Sequence, residues 1–158
     1  MESELIDESD LYRTVADSGA RALLIGRRAM VVLGAPVGTW DYDFWVHPDD
    51  IEVFNAALAP LGLLPNRSPD EARRRGRYIL EGDERVDVLV AREVSAVGGE
   101  VARLEDLLAR CHRFEVADGA AVAVPLVSDL ITTKRFALRA KDVEDIRILE
   151  ALREEMGE

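Results

Sequence analysis

Residues 39–46 read TWDYDFWV and combine a β-strand pattern with two closely spaced acidic residues. Successive side chains of a strand point to opposite faces, so Asp41 and Asp43 are predicted to share one face. The other face is apolar and consists of Tyr42, Phe44 and Val46. The two aspartates lie about 7 Å apart at Cα, given a rise of roughly 3.3 Å per residue. Their carboxylates repel each other unless a cation neutralises them, and Mg²⁺ suits them because it prefers oxygen ligands.

A second acidic residue pattern occurs in residues 85–90, RVDVLV, where Asp87 is set into an otherwise apolar strand. If this strand pairs beside the first, Asp87 completes a cluster of three carboxylates. Such a cluster holds one or two metal ions for in-line phosphoryl chemistry. Asp87 is also placed to accept a proton from an attacking hydroxyl group.

A third feature lies upstream, where residues 23–26, LLIG, read as a strand that runs into the start of a helix. Glycine at such a junction lets the backbone approach a phosphate closely. The free N–H groups of a helix start attract anions. Gly26 is therefore a candidate phosphate contact.

The remaining pattern predicts an α+β fold, in which helices pack on a small mixed β-sheet. Predicted helices are 9–19, 27–33, 49–61, 100–112, 128–138 (capped by Ser128) and 141–155, and predicted strands are 22–25, 39–47, 77–80, 85–91, 114–116 and 121–124. Residues 62–76 are predicted to form a loop. We divide the chain into an N-terminal helix (1–20), a core (21–125) and a C-terminal helical segment packed on the core (126–158).

Composition narrows the classes of function. The 158 residues carry a formal net charge of −11, which disfavours an extended nucleic-acid footprint or an anionic membrane surface. The single cysteine, Cys111, excludes an internal disulfide framework and a cysteine-rich zinc site, and we expect it to be a buried structural thiol. The acidic start and the short apolar runs lead us to expect a cytoplasmic protein without a membrane segment.

The combination of Gly26-Arg27, Asp41-Tyr42-Asp43 and Asp87 resembles the pattern of the polymerase-beta-like nucleotidyltransferase superfamily. Two longer stretches are similar to a narrower branch, the minimal nucleotidyltransferases of the abortive-infection toxin type. They are residues 23–46, LLIGRRAMVVLGAPVGTWDYDFWV, and residues 126–149, LVSDLITTKRFALRAKDVEDIRIL. The resemblance runs over most of the chain and implies the small mixed sheet of that fold.

The resemblance also implies roles for individual residues. Asp41 and Asp43 would bind Mg²⁺ together with a nucleoside triphosphate, and Asp87 would be the third ligand or the base. Lys134 and Lys141 are candidates to neutralise the triphosphate. Asp145 would orient Lys141 or Arg139, since residues four apart share a helix face. The acceptor, whether a tRNA end, another RNA, a protein or a small molecule, stays open, as does pairing with an antitoxin or a second copy.

Arg27 departs from the family pattern, which has a small residue at this position. Its side chain either fills the space of the phosphates and abolishes catalysis, or swings out and clamps phosphate oxygens. The sequence thus leaves two readings of the site, an active nucleotidyltransferase and a catalytically degenerate binding or antitoxin-type regulatory protein. A third reading is a structural domain with aspartates on its surface.

Other conspicuous side chains receive weaker expectations. His47 shares the strand face of the two aspartates and is expected at the rim of the site. The run Arg73 to Arg75 is interpreted as part of a solvated loop, with a local anion patch that includes Arg77 as the alternative. Trp40 and Trp45 are candidates to stack on a base, although core packing is favoured for at least one of them.

Overall fold

The computed structural model describes residues 6–158 and shows helices packed around three antiparallel or mixed sheets. The strands are β1 (Ala22–Ile25), β2 (Tyr42–Val46), β3 (Leu64–Pro65), β4 (Arg77–Glu81), β5 (Arg85–Val90), β6 (Glu93–Ser95), β7 (Val101–Arg103), β8 (His112–Ala117) and β9 (Ala120–Val124). The helices are α1 (Glu8–Ser18), α2 (Gly26–Val32), α3 (Ile51–Leu58), α4 (Pro69–Arg75), α5 (Leu104–Arg110), α6 (Val127–Lys134) and α7 (Ala140–Met156). Residues 1–5 of the predicted N-terminal segment lie outside the described part.

The main sheet has five strands in the order β1-β2-β5-β4-β3. Strands β2 and β5 run parallel, and the other neighbours are antiparallel. The predicted mixed sheet is therefore confirmed. The parallel pair sets the register that matters for the site, because Asp43 lies directly opposite Asp87.

The two faces of the main sheet bury different apolar clusters. The side chains of β2 and β5 that face the larger core are Tyr42, Phe44, Val46, Val86, Val88 and Val90. On the opposite face, Trp45 is fully buried in a second cluster and donates its indole N–H to the Ala91 carbonyl at 2.8 Å. The predicted alternation along residues 39–46 is confirmed, although β2 begins at Tyr42 and Asp41 precedes it.

Residues 62–76 are not a loop, and this prediction was wrong. They contain β3 and α4, whose start is fixed by Ser68, which accepts a hydrogen bond from the Glu71 N–H at 3.2 Å. Pro69 fits the first helical turn, and Gly76 ends the helix with φ +72°. The arginines of α4 form ion pairs with neighbouring acidic side chains, Glu52, Asp70 and Glu71, so they form no free anion patch.

Two further boundaries differ from the sequence prediction. The segment predicted as helix 100–112 begins with β7, which pairs with the unpredicted β6, and only then becomes α5. Helix α6 ends at Lys134, and Ser128 lies inside it rather than capping it. The carboxylate of Glu158 instead accepts the N–H groups of Val127 and Ser128, at 3.1 and 3.3 Å. A partner far away in the sequence thus replaces the predicted local cap.

The single cysteine is less deeply buried than the sequence predicts. Cys111 is only partly buried beside the second cluster, and burial raises the pKa of its thiol. Among residues 6–158, no helix is long and apolar enough to span a membrane.

Candidate active site

Asp43 and Asp87 stand side by side on the parallel strands β2 and β5. Both are partly buried, and they face a cleft that Asp41, just before β2, also lines. Burial raises the pKa of Asp43 to about 6, and the negative charges of Asp87 and Asp41 act in the same direction. Lys134 and Lys141 lower this pKa but do not compensate fully. The negative charge of Asp43 is therefore incompletely compensated, and a further positive charge in the cleft would stabilise it.

Gly26 is required by the close approach of the β1–α2 junction to Asp43. It adopts φ +70°, which side chains other than glycine rarely adopt. A Cβ atom at this position would clash with Oδ2 of Asp43. The sequence predicted a close approach to a ligand phosphate, and the structure shows a close approach to the carboxylate. Helix α2 has only seven residues, so anion attraction here rests chiefly on side chains.

The cleft has two chambers that share Asp41 and Asp43. The first chamber has a volume of about 210 Å³ and extends from Gly26 and Arg27 to the start of α7. The second chamber has a volume of about 270 Å³ and extends over Asp87. Both are also lined by three basic residues, Arg77, Arg139 and Lys141. Every residue predicted to bind the metal or the triphosphate lines one chamber or both, so the fold brings these residues together.

Asp145 of α7 is the hub of a buried ion network at the wall of the first chamber. Its carboxylate is 0% exposed and accepts hydrogen bonds from Arg27 Nη2 at 2.9 Å and Lys134 Nζ at 2.7 Å. Burial raises the pKa of Asp145, but the hydrogen bonds from Arg27 and Lys134 lower it by more, so it lies below its ordinary value. Asp145 is thus ionised and holds two cations at the chamber wall.

The predicted pairing of Asp145 with Lys141 or Arg139 was wrong. The Asp145 side chain faces inward towards α2 and α6, while Lys141 is exposed at the cleft. Arg139 pairs instead with Asp142, at 3.1 Å from Nε to Oδ2. Asp142 is also buried, and its Oδ1 lies 4.0 Å from Lys134 Nζ. The four-residue spacing gave a plausible partner on the same helix, whereas the tertiary fold supplies partners from two other helices.

The segment before β2 is held by Arg28. Its guanidinium lies 4.2 Å from the centre of the Tyr42 ring and donates to the carbonyls of Thr39 and Asp41, both at 3.4 Å. Trp40 projects from this segment with 90% of its surface exposed, in contrast to the buried Trp45. Core packing is therefore confirmed for one of the two tryptophans.

His47 does not occupy the rim expected of it. The side chain is only 1% exposed, and its Nδ1 accepts a hydrogen bond from the Asp49 N–H at 3.1 Å. This bond fixes the 3₁₀ turn Pro48–Asp50, which follows β2. His47 lines neither chamber, so it has a local structural role.

The donor chemistry of the cleft fits a divalent metal ion such as Mg²⁺. The three aspartates offer the hard oxygen ligands that Mg²⁺ prefers. The pKa of the partly buried Asp43 is raised, so its ionised form would be stabilised by a cation. In the side-chain positions of the described residues, no three His, Cys, Asp or Glu groups are arranged to bind a metal. Asp87 is turned towards Arg85, whose Nη2 lies 3.1 Å from its Oδ1. This contact engages only Oδ1 of Asp87, and among the described residues its Oδ2 has no hydrogen-bond partner and is available to a metal ion.

Sequence reasoning missed three charged residues of the cleft. Arg77 was grouped with the arginines of the supposed loop, yet it begins β4 and lines both chambers. The sequence pattern assigns no role to Arg85 or to Asp142. Two local signals were available. Arg85 and Asp87 are two residues apart on one strand and therefore share a face, and Arg139 and Asp142 have the three-residue spacing of a helix capping box.

Comparison with known proteins identifies the fold. No protein-family model and no curated protein matches the sequence. The solution structure of the antibiotic-resistance factor ANT(2'')-Ia shares 14% identity and a TM-score of 0.55, over 93% of this chain and 87% of that chain. A Thermotoga maritima protein assigned as a nucleotidyltransferase shares 12% identity and a TM-score of 0.56, over 93% of this chain and 88% of that chain.

The crystal structure of ANT(2'')-Ia in complex with adenylyl-2''-tobramycin is also similar. It shares 15% identity and a TM-score of 0.54, over 92% of each chain. At such identities the likeness shows the fold alone. The chain therefore has a nucleotidyltransferase-type fold, as the resemblance implied, whereas the abortive-infection branch stays a prediction.

Proposed function

We propose that this protein is a Mg²⁺-dependent nucleotidyltransferase that moves a nucleotidyl group from a nucleoside triphosphate to an acceptor hydroxyl or phosphate. The observation that carries the proposal is the pairing of Asp43 with Asp87 across parallel strands, beside Asp41, in a cleft lined by basic residues. Structural domains have no need to bury like charges together, because the repulsion costs stability. The neighbours in fold space, which include nucleotidyltransferases, support the same reaction class.

In the proposed site, Asp41, Asp43 and Asp87 would hold the metal ion, whose positive charge would stabilise the transferred phosphoryl group and the leaving pyrophosphate. Lys134 and Lys141 neutralise the remaining phosphate charge, and Gly26 leaves the space that Asp43 needs.

The transfer step forms one bond and breaks one bond. The acceptor oxygen attacks the α-phosphorus of the triphosphate, and the bond from that phosphorus to the bridging oxygen of pyrophosphate breaks. For a hydroxyl acceptor, the proton passes to Asp87, which lines the second chamber. The products are the nucleotidylated acceptor and pyrophosphate.

Three classes of molecule are candidates to supply the acceptor group. ANT(2'')-Ia has been crystallised with an adenylylated aminoglycoside, so a small-molecule hydroxyl is one candidate. RNA ends and protein hydroxyls are the others. The net charge of −11 disfavours an extended RNA footprint but allows contact with a single terminal nucleotide. We retain the toxin-type branch as part of the proposal, with an antitoxin or a second copy as its partner and the cytoplasm as its location.

A transfer assay tests the proposal. The purified protein is incubated with Mg²⁺ and each α-³²P-labelled nucleoside triphosphate, in separate reactions with total cellular RNA, a protein lysate and tobramycin. We expect label to pass to one acceptor class with release of pyrophosphate. Asp43→Asn should reduce the rate by about 10³-fold, because several kcal/mol of transition-state stabilisation depend on the metal.

A matched variant separates this effect from a general change in charge. Asp118→Asn also removes one acidic charge, but Asp118 lies in the turn between β8 and β9, outside both chambers. Its transfer rate should equal that of the wild type. Binding of ATP without transfer to any acceptor would instead support the degenerate binding protein, and equal rates for the two variants would contradict a metal role of Asp43.

A further inference from the structure

Arg27 follows Gly26 at the junction of β1 and α2, and its contacts suggest a use for its long side chain. We propose that Arg27, fixed by Asp145, is a direct ligand of the triphosphate in the first chamber. This inference rests on the proposed function for the identity of the ligand. It concerns residues that differ from the metal-binding aspartates, so it is open to a separate test.

The guanidinium of Arg27 is bound to Asp145 by one side only. Nε lies 3.2 Å from Oδ1, and Nη2 lies 2.9 Å from the same oxygen. An arginine that pairs through Nε and Nη2 keeps both hydrogens of Nη1 for another acceptor. Among the described residues, Nη1 of Arg27 has no hydrogen-bond partner. The Arg27 side chain is 37% exposed and lines the first chamber, so an anion in that chamber is accessible to these donors.

The position of the guanidinium leaves the chamber open. The bond to Asp145 draws Arg27 towards α7, and a volume of about 210 Å³ stays free beside it. Arg27 therefore lines the space of the phosphates rather than filling it. This placement distinguishes a phosphate ligand from a residue that blocks the site.

The charges around Asp145 favour an anionic ligand. Arg27, Lys134 and Arg139 contribute three positive charges, while Asp142 and Asp145 contribute two negative charges, so this group of five carries a net charge of +1. Because Asp145 is 0% exposed, water does not screen its charge. Its ion pairs therefore hold Arg27 and Lys134 in place before a ligand binds. A fixed guanidinium loses less side-chain entropy when it binds phosphate than a mobile one does. Asp145 is thus a positioning residue for Arg27.

Calorimetric titration tests the assignment, with inorganic tripolyphosphate as one probe and Mg²⁺–ATP as the other. Arg27→Gln should weaken the binding of both probes by about 10- to 100-fold, the range of one charge-assisted hydrogen-bond interaction. Arg27→Lys should lose about as much, because a single ammonium does not pair with Asp145 and a phosphate in the same fork geometry. The control is Arg74→Gln on α4, which removes an exposed positive charge outside both chambers and should bind like the wild type.

Unchanged or tighter binding in Arg27→Gln would overturn the inference, and tighter binding would show that Arg27 obstructs the site. The positioning role of Asp145 is tested by a double-mutant cycle. The loss caused by Arg27→Gln should shrink to less than about 3-fold in an Asp145→Asn background. An equal loss in both backgrounds would contradict positioning. If Asp145→Asn does not fold, Arg27→Lys decides, because near-wild-type binding there would show that charge alone suffices.

The outcome is separable from that of the proposed function. Tripolyphosphate binding that depends on Arg27, in a protein that transfers no nucleotide, would leave the inference standing and defeat the function. Wild-type transfer together with unchanged binding in Arg27→Gln would do the reverse.

Discussion

The two chambers of the cleft fix their charges in different ways. In the first chamber, the cations Arg27, Lys134 and Arg139 are tied to the buried carboxylates of α7, Asp142 and Asp145. In the second chamber, Arg85 is tied to Asp87, which is itself a proposed metal ligand. The first arrangement exists before any ligand binds. In the second arrangement, Arg85 and the proposed metal ion would share the carboxylate of Asp87, so we expect them to compete for it.

The largest effect should follow from breaking the fixed network of the first chamber. Asp145→Asn removes the shared partner of Arg27 and Lys134, and Lys134 is only 8% exposed. We expect the free energy of unfolding to fall by about 3 kcal/mol, because a buried charge loses its compensation. Chemical denaturation measures this change.

The control is Asp10→Asn, which breaks the exposed ion pair between Asp10 and Arg13 on α1. Exposed pairs contribute little, so the loss should stay below about 1 kcal/mol. Equal losses of unfolding free energy in the two variants would show that the buried ion pairs of Asp145 stabilise the fold no more than an exposed pair does.

Asp43, which lies between the chambers, should make stability depend on pH. Its folded pKa is raised to about 6 from an ordinary value of 3.8, so the unfolded chain releases this proton at lower pH than the folded protein does. The metal-free protein should therefore lose up to about 3 kcal/mol as the pH rises from about 4 to above 6. Asp43→Asn should remove this part of the pH profile. A profile that is the same in both proteins would mean that Asp43 is not strained by its neighbours.

Gly26 lines the first chamber, and its backbone lies in close contact with the Asp43 side chain. Gly26→Ala introduces both backbone strain at φ +70° and a clash with the carboxylate. Gly34→Ala is a matched control, since its φ is +96° but nothing lies within 4 Å of an added Cβ. Each should lose about 1–2 kcal/mol from strain. Only Gly26→Ala should also reduce transfer, by at least about 10-fold, because Asp43 must shift.

The smallest effect belongs to the second chamber. Arg85→Gln removes the competitor for Asp87, and the Arg85 side chain is 58% exposed. Because such a pair is worth at most about 1 kcal/mol, Mg²⁺ should bind up to about 5-fold more tightly to this variant. Calorimetry in the absence of nucleotide measures the change. Weaker Mg²⁺ binding would show that Arg85 positions Asp87 for the metal instead of competing with it.

The predictable part of the site came from local periodicity. Alternation along β2 predicts that Asp43 lies on one face of the sheet and Tyr42 and Phe44 on the other, and the structure confirms this. Adjacency of β2 and β5 was only a condition of the prediction, since strand order is a long-range property. The partners of Asp145 come from α2 and α6, and no spacing within α7 encodes them.

A different kind of error concerns residues 62–76. The signals of α4 are local, namely Ser68 as a cap, Pro69 in the first turn and Gly76 at the end. The same residues also fit a loop, because proline and glycine mark turns as well. The partners of Asp145 were therefore hidden because they are long-range, whereas the signals of α4 were local.

The central claim is that Asp41, Asp43 and Asp87 form a divalent-metal site, and direct titration of Mg²⁺ tests it. Isothermal calorimetry of the wild type, with and without a non-hydrolysable ATP analogue, should show metal binding that the nucleotide strengthens. Asp43→Asn should abolish this binding, while Asp118→Asn should leave it unchanged. Absence of Mg²⁺ binding to the wild type under both conditions, or equal binding to Asp43→Asn, would contradict the account.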